Sequence, residues 1–543
     1  MIQWIKNNTV LFLIITTLIM LFVNLGVLQT NIMEARNIIS AREMVDQGNW
    51  IFTTLNGLPR YEKPPLPTWI TAVFGSIFGF ENIFWLRIPV VLITLLLVYF
   101  FYKIASQLNL SKQQVVNSSL ILITSFYVFF AGRDNNWDMY THSFMLVSIF
   151  FLIKEFQSIK FNFLNFTAAF FFLGCSIMSK GPVSLYALFL PFLLAYFFTY
   201  TKKIKRNISV TLLTLIVGCI IGFTWILYVR YFDADHFIAA SKKEINSWQN
   251  HNTRPFYYYW SFFTQSGLWT IPSLVSLIYP YLKNKVSNKK AYKFTWLWTM
   301  FSVVLLSLIP EKKSRYLLPV LIPLALNIGF YIEYLRLEFK NLNNKTEKII
   351  TNIIFGLYSV IAFVISIGVF IYTKSEFTNF AIWSIPFALI SIYLGIIIVK
   401  GLKDKSFDYL FYPSILLMCT FVIFGFPLSK VTFSEQLYVS TSSIKELEKK
   451  YNITTYETDG FVPEIVLDYG KPIPVLSENG KIYLPKTNQF GLLANKNDSA
   501  FIVENLNKYS IKKIGEVNLN HSLKEQKNYN DRIQKDYFLV QLK

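Results

Sequence analysis

The sequence predicts an α-helical polytopic membrane protein with about 13 transmembrane helices and a small extracytoplasmic α/β domain at its C-terminal end. Of its 543 residues, 53% are hydrophobic and only 15% are charged, whereas about a quarter of the residues in soluble domains are charged. Apolar stretches long enough to cross a hydrocarbon layer of about 30 Å recur as far as about residue 430. These stretches lack the period-two alternation of barrel strands, so helices are the expected spanning elements.

The apolar stretches give the candidate membrane spans and their orientation. The spans cover residues 8–29, 84–103, 115–132, 138–154, 161–179, 183–200, 208–230, 258–281, 294–310, 316–335, 349–372, 377–399 and 409–428. Lys and Arg concentrate in the gaps at residues 201–207, 283–293, 336–348 and 400–405. Because positively charged loops stay in the cytoplasm, these gaps and the N-terminus are predicted to be cytoplasmic. The gaps at residues 30–83, 132–138, 179–182, 231–257 and 310–315 and the C-terminal domain are predicted to face the outside of a bacterial cytoplasmic membrane.

Charge and cysteine content exclude two other kinds of protein. The net charge of +20 does not indicate a nucleic-acid partner, because the basic residues occupy short loops and do not form one continuous face. Cys175, Cys219 and Cys419 lie inside apolar spans without metal-ligand spacing. We therefore expect packing roles for them and no disulfide framework.

The last part of the chain differs in composition from the rest. We predict a transmembrane domain over residues 1–430, with a long outer loop at 30–83, followed by an extracytoplasmic α/β domain over residues 431–543. The predicted elements of this second domain are a helix near 442–451, strands near 452–458, 481–485 and 536–543, and turns at 478–480 and 495–498. Its sequence contains no Gly-rich phosphate loop and no Cys/His cluster, which favours a capping or stabilising role.

The long outer loop carries the first candidate functional residues. A loop of this length is usually functional. Apolar residues recur at near-helical spacing over residues 32–45, which predicts a helix at the membrane interface that presents Glu34 and Arg36. The alternative is a surface helix whose charges are only solvated.

A proline-rich corner follows in the same loop, with the sequence RYEKPPLPTW at residues 60–69. Its prolines disfavour a regular helix and favour extended backbone. Glu62 and Lys63 are therefore expected at a rigid position just where the chain re-enters apolar sequence. A fixed Lys beside a fixed carboxylate suits an anionic headgroup, with or without a bridging cation.

Other predicted outer loops carry ionisable residues at the ends of spans, including Asp138, Lys180 and Arg315. Ionisable groups at membrane depth are costly and are functional candidates by default. Several cations and a few carboxylates on one face indicate a site for a phosphate-bearing lipid, since Lys and Arg bind phosphate. A carboxylate there would act as a base or stabilise positive charge at a sugar carbon.

Six ordered motifs together carry a family resemblance: MEARNIISAREM, NGLPRYEKPPLPTW, GRDNNWDMYTHSFML, SKGPVSLY, NHNTRPFYYYW and KKSRYLLPVLIPLAL. In this order and spacing they resemble the motifs of polyprenyl-phosphate-dependent membrane glycosyltransferases. That family includes the aminoarabinose transferases that modify lipid A and, more distantly, protein O-mannosyltransferases. The resemblance covers essentially the whole membrane portion.

The resemblance implies a GT-C fold, a polyprenyl-phosphate sugar donor and transfer to an envelope acceptor, with inversion, on the outer side of the cytoplasmic membrane. The candidate catalytic residues are Glu34 and Asp138, and the candidate donor-phosphate ligands are Arg60, Lys63, Lys180 and Arg315. The candidate acceptor ligands are Arg36, Lys242 and Lys243, and Glu62 and His251 are the candidates for a divalent metal ion.

The sequence departs from the family pattern at two positions. Met33 occupies the position of the acidic residue that the family favours as catalytic, so the role passes to Glu34 or is dispensable. Asn252 occupies the position of the metal-linked histidine, and His251 stands one residue earlier.

Two other classes of function stay open at this point. A transporter or flippase of anionic lipid-linked sugars would also place cations near a membrane cavity, but it would usually show paired repeats with sites near the midplane. A catalytically silent binding subunit is the third reading, because of Met33. The sugar, the acceptor and the oligomeric state are not predicted.

Overall fold

The computed structural model describes residues 1–200, 204–432, 437–478, 481–495, 498–526 and 529–543. These residues form two compact units. The first unit comprises Met1–Leu28, Tyr61–Pro67 and Phe84–Leu428. The second unit comprises Gln29–Arg60, Thr68–Ile83 and Ser429–Lys543. Most of the long loop at residues 30–83 therefore belongs to the same unit as the C-terminal residues, although the sequence analysis placed it with the membrane domain.

The first unit is built from α-helices. Their bounds are Ile2–Asn7, Thr9–Phe22, Ile83–Gln107, Lys112–Thr124, Phe126–Ala131, Trp137–Gln157, Phe163–Lys180, Leu190–Thr199, Ile204–Phe232, Ala234–Asn250, Thr270–Leu277, Tyr279–Leu282, Lys289–Leu308, Leu318–Glu338, Lys345–Tyr372, Phe377–Lys403 and Asp408–Thr420. Short 3-10 or π-helical pieces cover Leu185–Phe189, Phe256–Trp269, Ser314–Leu317, Phe339–Asn341, Lys374–Glu376, Phe421–Gly425 and Pro427–Thr432.

The helical, multi-pass character predicted from the sequence is confirmed. Within the described part of the chain, nine helices are long and apolar enough to cross a membrane. Three shorter apolar helices accompany them, at Thr9–Phe22, Leu66–Phe78 and Leu185–Thr199. The count of thirteen spans stays a prediction.

One predicted span departs from a continuous α-helix for a local reason. The stretch predicted as span 258–281 begins as the 3-10 helix Phe256–Trp269 and continues as two short α-helices. Gly267 has φ 62° and ψ −112°, a conformation that glycine adopts without a Cβ penalty. A Cβ at this position would lie 2.8 Å from the Phe126 side chain, so the backbone also passes unusually close to its neighbour.

Close helix packing fixes the ends of the helices that carry the candidate site. Helix Trp137–Gln157 packs against Phe163–Lys180, which in turn packs against Ile204–Phe232. Gly174 and Gly218 allow the last two helices to approach, because a Cβ on either would lie within 2.6 Å of a side-chain atom of the partner helix. Small residues at such contacts are typical of helix packing in membranes.

The second unit contains a short hairpin and a six-stranded mixed sheet. The strands are β1 (Thr54–Leu55), β2 (Leu58–Pro59), β3 (Thr455–Asp459), β4 (Val475–Glu478), β5 (Lys481–Ile482), β6 (Gln489–Ala494), β7 (Tyr509–Asn518) and β8 (Gln534–Leu542). β1 and β2 pair with each other, and the sheet has the order β5-β4-β3-β6-β8-β7. β3 is parallel to β4 and β6, whereas the other pairs are antiparallel.

The helices of this unit cover Ile32–Gln47, Leu66–Phe78, Ser442–Tyr451, Pro463–Tyr469 and Ser499–Asn505, with a 3-10 turn at Asp531–Ile533. The C-terminal sheet domain, the helix predicted at 442–451 and the strands predicted near 452–458 and 536–543 are thus confirmed. Of the strand predicted near 481–485, only Lys481–Ile482 forms. The turns predicted at 478–480 and 495–498 fall partly outside the described residues.

The loop helix, Ile32–Gln47, shares a hydrophobic core with the C-terminal elements. Ile39 and Leu55 pack in one buried cluster with residues such as Ile444 and Ile465. Arg42 donates hydrogen bonds to the carbonyl oxygens of two residues at the end of helix Pro463–Tyr469. This helix is mostly buried within the second unit and is not the solvated surface helix of the alternative prediction.

Candidate active site

A buried carboxylate–lysine pair forms the centre of the candidate site. Helix Trp137–Gln157 begins with an Asn136 cap, whose side chain accepts a hydrogen bond from the backbone N–H of Asp138 at 2.9 Å. Lys180 is the last residue of its helix, which ends at Gly181 with φ 77°. Its Nζ donates to Oδ1 of Asp138, and both side chains are more than nine-tenths buried. Two neighbouring helix ends thus place opposite charges together.

Two further predicted cations lie near this pair. Arg315, in the 3-10 turn Ser314–Leu317, interacts electrostatically with both Asp138 and Lys180. Lys63, from the proline-rich corner, lies close enough to Lys180 to interact with its charge. Lys180 and Arg315 therefore lie beside one carboxylate, with Lys63 near Lys180, and all four residues belong to the first unit. The two cations beside Asp138 outnumber it, which suits an anionic ligand.

The sequence analysis did not single out two residues that line this cluster. The ring of Tyr316 lies with its centroid 5.3 Å from Nζ of Lys180 and 5.7 Å from the guanidinium of Arg315. His142, one turn after Asp138, is buried, and its Nδ1 has no hydrogen-bond partner among the described residues. A histidine four residues after an acidic helix start shares a helix face with it, and this spacing is the signal that could have identified His142.

Residues 60–65 of the proline-rich corner are not helical, and helix Leu66–Phe78 begins within the corner. Pro67 lies in the first turn of that helix, where no backbone N–H is needed. The hydroxyl of Tyr61 donates to Oδ2 of Asp233 at 2.6 Å. Nζ of Lys63 lies 2.6 Å from Oε1 of Glu244. The corner is therefore bound at two points to the segment that follows the span ending at Phe232.

Helix Ala234–Asn250 is hereafter called the outer helix, because its segment is predicted to lie outside the membrane. It makes two ionic contacts with the corner. Besides the Lys63–Glu244 pair, Nζ of Lys243 lies 3.9 Å from Oε1 of Glu62. Burial opposes ionisation of Glu244, but the charge and hydrogen bond of Lys63 outweigh it and lower the pKa of this carboxyl below its ordinary value. Lys242, the other predicted acceptor ligand on this helix, is exposed.

Three predicted site residues belong to the second unit. Glu34, in the first turn of the loop helix, is fully buried, and its backbone N–H donates to the Asn31 cap. Arg60 donates from Nη1 to the carbonyl oxygen of Arg36 at 3.3 Å and to Oγ of Ser40 at 3.2 Å. Arg36 is partly buried. The roles predicted for Glu34, Arg36 and Arg60 stay predictions.

The predicted metal ligands do not form a recognisable metal-binding set. Glu62 is paired with Lys243, and His251 is exposed at the C-terminal end of the outer helix. Across the described ranges, no group of three or more His, Cys, Asp or Glu side chains is placed to hold a metal ion. A divalent metal ion therefore stays a prediction, and no chemical step is assigned to it below.

Comparison with known proteins gives a consistent set of relatives. Residues 62–228 match the family model for dolichyl-phosphate-mannose-protein mannosyltransferase. An undecaprenyl phosphate-alpha-4-amino-4-deoxy-L-arabinose arabinosyl transferase of Proteus mirabilis is 27% identical over 348 residues, which are 62% of this chain and 61% of that protein. The enzyme of the same name from Wigglesworthia glossinidia brevipalpis is 26% identical over 482 residues, which are 80% of this chain and 81% of that protein.

Among solved structures, the fold matches that of ArnT from Cupriavidus metallidurans bound to undecaprenyl phosphate. The TM-score is 0.67 with 15% sequence identity, and the match covers 98% of both chains. The GT-C fold that the sequence motifs implied is thereby confirmed. In sequence and in fold, this chain resembles the polyprenyl-phosphate-dependent membrane glycosyltransferases.

Proposed function

We propose that this protein is a membrane glycosyltransferase that moves a sugar from a polyprenyl-phosphate donor to an acceptor in the cell envelope. The acceptor is a lipid A-like glycolipid or another glycan or protein. The proposed location is the bacterial cytoplasmic membrane, with the site and the C-terminal domain facing outwards. The basic loops at the opposite ends of the spans support this orientation.

One observation carries the proposal: Lys180 and Arg315 lie beside the buried Asp138, and Lys63 lies near the charge of Lys180. These residues are far apart in the sequence, and each lies in a different predicted outer loop. A donor phosphate placed among the three cations would be neutralised by them, with Arg315 able to bind two of its oxygens. The named relatives, which use undecaprenyl-phosphate sugars, support the same ligand.

The cluster can promote breakage of the bond between the sugar carbon and the phosphate oxygen. Lys63, Lys180 and Arg315 stabilise the negative charge that develops on the leaving polyprenyl phosphate. The acceptor oxygen attacks the sugar carbon from the opposite face, which inverts its configuration. Asp138, held by Lys180 and close to Arg315, provides a fixed negative charge for the oxocarbenium-like transition state.

The acceptor decides whether a base is needed. A phosphate acceptor is already an anion near neutral pH and attacks without losing a proton. A hydroxyl acceptor must transfer its proton to a carboxylate, for which we propose Asp138 or Glu34. Arg36, Lys242 and Lys243 are the proposed ligands of an anionic acceptor.

The test is sugar transfer by the purified protein in lipid nanodiscs. Labelled polyprenyl-phosphate sugars and envelope lipids are supplied to the wild type and to Lys63→Ala. Transfer by the wild type, with a loss of about 100-fold or more in the variant, is expected if Lys63 binds the leaving phosphate. In sealed liposomes that contain the protein, movement of the labelled donor across the bilayer without transfer would instead support the transporter alternative.

A further inference from the structure

The ionic contact between Lys63 and Glu244 joins the candidate phosphate site to the outer helix. Their side chains are 2.6 Å apart at the closest atoms, and they retain 19% and 32% of their solvent exposure. A partly exposed pair of this kind can open without a large structural rearrangement, in contrast to the sealed Asp138–Lys180 pair. Of the cations in the cluster, Lys63 therefore has the ion-pair partner that is easiest to displace.

The carboxylate of Glu244 lies where the basic side chains of the cluster attract an anion. Its carboxylate lies against Lys63, which itself lies near the charge of Lys180. Glu244 also interacts with the charge of Lys313, from the segment that leads into Arg315. A carboxylate therefore occupies the place beside Lys63 that an anionic ligand would take, within reach of the charge of Lys313, whose own ion-pair partner is Glu311.

We propose that Glu244 is a placeholder for the donor phosphate: its carboxylate neutralises Lys63 when the site is empty, and the phosphate replaces it on binding. This inference rests on the proposed function of Lys63 as a phosphate ligand. It identifies a positioning residue on the outer helix that the sequence motifs do not contain. The Tyr61–Asp233 contact keeps the helix attached at its other end during the exchange.

The exchange also has a consequence for product release. The donor is a phosphodiester with one negative charge, whereas polyprenyl phosphate, the product, carries up to two and is held more tightly by cations. When Glu244 returns to Lys63, it displaces the product phosphate. Competition from Glu244 for Lys63 therefore weakens binding of the donor phosphate and of the product phosphate, but it accelerates turnover.

Binding of undecaprenyl phosphate to the full-length protein in nanodiscs tests this proposal. Glu244→Gln is expected to bind it about 5- to 10-fold more tightly than the wild type, and Glu244→Asp to bind with nearly wild-type affinity. Asp235→Asn is the matched control, because it removes one negative charge from an exposed position on the same helix; it should change the affinity less than twofold. In transfer assays, Glu244→Gln should lower both KM for the donor and kcat.

The outcomes distinguish failure of the placeholder proposal from failure of the proposed glycosyltransferase function. If the wild type binds undecaprenyl phosphate and Glu244→Gln binds no more tightly, the placeholder is wrong and the glycosyltransferase proposal stands. If neither protein binds it and no transfer occurs, both proposals fall. A second measurement needs no variant: hydrogen exchange in the outer helix should accelerate when the wild type binds the phosphate, and unchanged exchange would contradict the placeholder.

Discussion

Each of the two units contains a buried carboxylate–lysine pair, and the surroundings of the two pairs differ. In the first unit, Asp138 pairs with Lys180 close to two further cations. In the second unit, Nζ of Lys535 lies 3.5 Å from Oε1 of Glu457, whose Oε2 accepts a hydrogen bond from the backbone N–H of Val462. The side chains of both pairs are more than nine-tenths buried, but the charges around the two pairs differ.

The surrounding charge is what separates the pair in the candidate site from the pair in the second unit. Lys180 and Arg315 both act on the charge of Asp138, whereas Lys63 is paired with Glu244, so the two cations beside Asp138 outnumber it and attract an additional anion. Around Glu457, one lysine is paired with one carboxylate, and the negative charge of Asp498 also acts on Glu457. Burial of an ion pair alone is therefore weak support for function, and the excess charge around the pair is the informative property.

The largest expected effect comes from breaking the first pair. Lys180→Met should reduce sugar transfer by about 100-fold or more, because it removes one cation from the leaving phosphate and leaves Asp138 buried without its ion-pair partner. The double variant Asp138→Asn, Lys180→Met should recover folding but not transfer. The measurement is transfer per folded protein, with folding followed by thermal unfolding in detergent.

Lys535→Met is the matched control in the second unit. It also removes the lysine of a buried pair, at an expected cost below the roughly 3–5 kcal/mol of a fully ionised pair, because burial raises the pKa of Glu457 to about 7 and the carboxyl can take up a proton. Transfer per folded protein should nevertheless stay within about twofold of the wild type. If the two lysine variants lost transfer equally, the contrast between the pairs would be wrong.

Sequence patterns predicted most of the candidate cluster but not its connection to the outer helix. Asp138, Lys180 and Arg315 could be recognised because ionisable residues at the ends of apolar spans are costly. Glu244 could not, because a carboxylate on an amphipathic helix looks like part of a solvated face. Its significance depends on a partner 181 residues away in the chain.

Arg133 shows another role for a charge at the end of a span. It lies in the motif GRDNNWDMYTHSFML together with Asp138, but its guanidinium donates to the carbonyl oxygens of Met20 and Val23 at 2.7 and 2.8 Å. The side chain therefore binds the C-terminal end of helix Thr9–Phe22, whose carbonyl groups lack helical partners. A charge at a span end can bind either a ligand or a helix terminus, and only the three-dimensional arrangement separates the two.

The fold was predictable where a local pattern determines it. The loop helix Ile32–Gln47 follows from its apolar spacing and the Asn31 cap, but its placement in the second unit depends on Arg42 contacting residues more than 420 positions later. Similarly, the 3-10 helix Phe256–Trp269 has the composition of an ordinary span. Its departure from α-helix accompanies the close approach of Gly267 to Phe126. A hydropathy profile does not show such an approach.

A smaller effect, on stability and not on transfer, is expected from Glu457. Burial raises the pKa of its carboxyl from 4.5 to about 7, and the charge of Lys535 only partly offsets this rise. The folded state therefore holds a proton that the unfolded chain releases between these values. The second unit should lose roughly 3 kcal/mol of stability as the pH rises through this interval.

Glu457→Gln should remove that pH dependence, because an amide does not titrate. The measurement is hydrogen exchange in the C-terminal sheet of the full-length protein at pH 5 and pH 8, corrected for intrinsic rates. Wild-type protection should fall at the higher pH, whereas the variant should show similar protection at both. A wild type as well protected at pH 8 as at pH 5 would contradict the proton uptake assigned to Glu457.

The smallest expected effect concerns His251, the candidate metal ligand. Its side chain is exposed, and the other candidate, Glu62, already faces Lys243. His251→Ala should therefore keep transfer within about twofold of the wild type, and the two proteins should respond equally to a chelator followed by Mg²⁺ or Mn²⁺. Loss of both transfer and the response to added metal in this variant would instead support the metal site that the sequence motifs implied. It would also extend the functional cluster beyond Lys63, since Glu62 would have to exchange Lys243 for the metal.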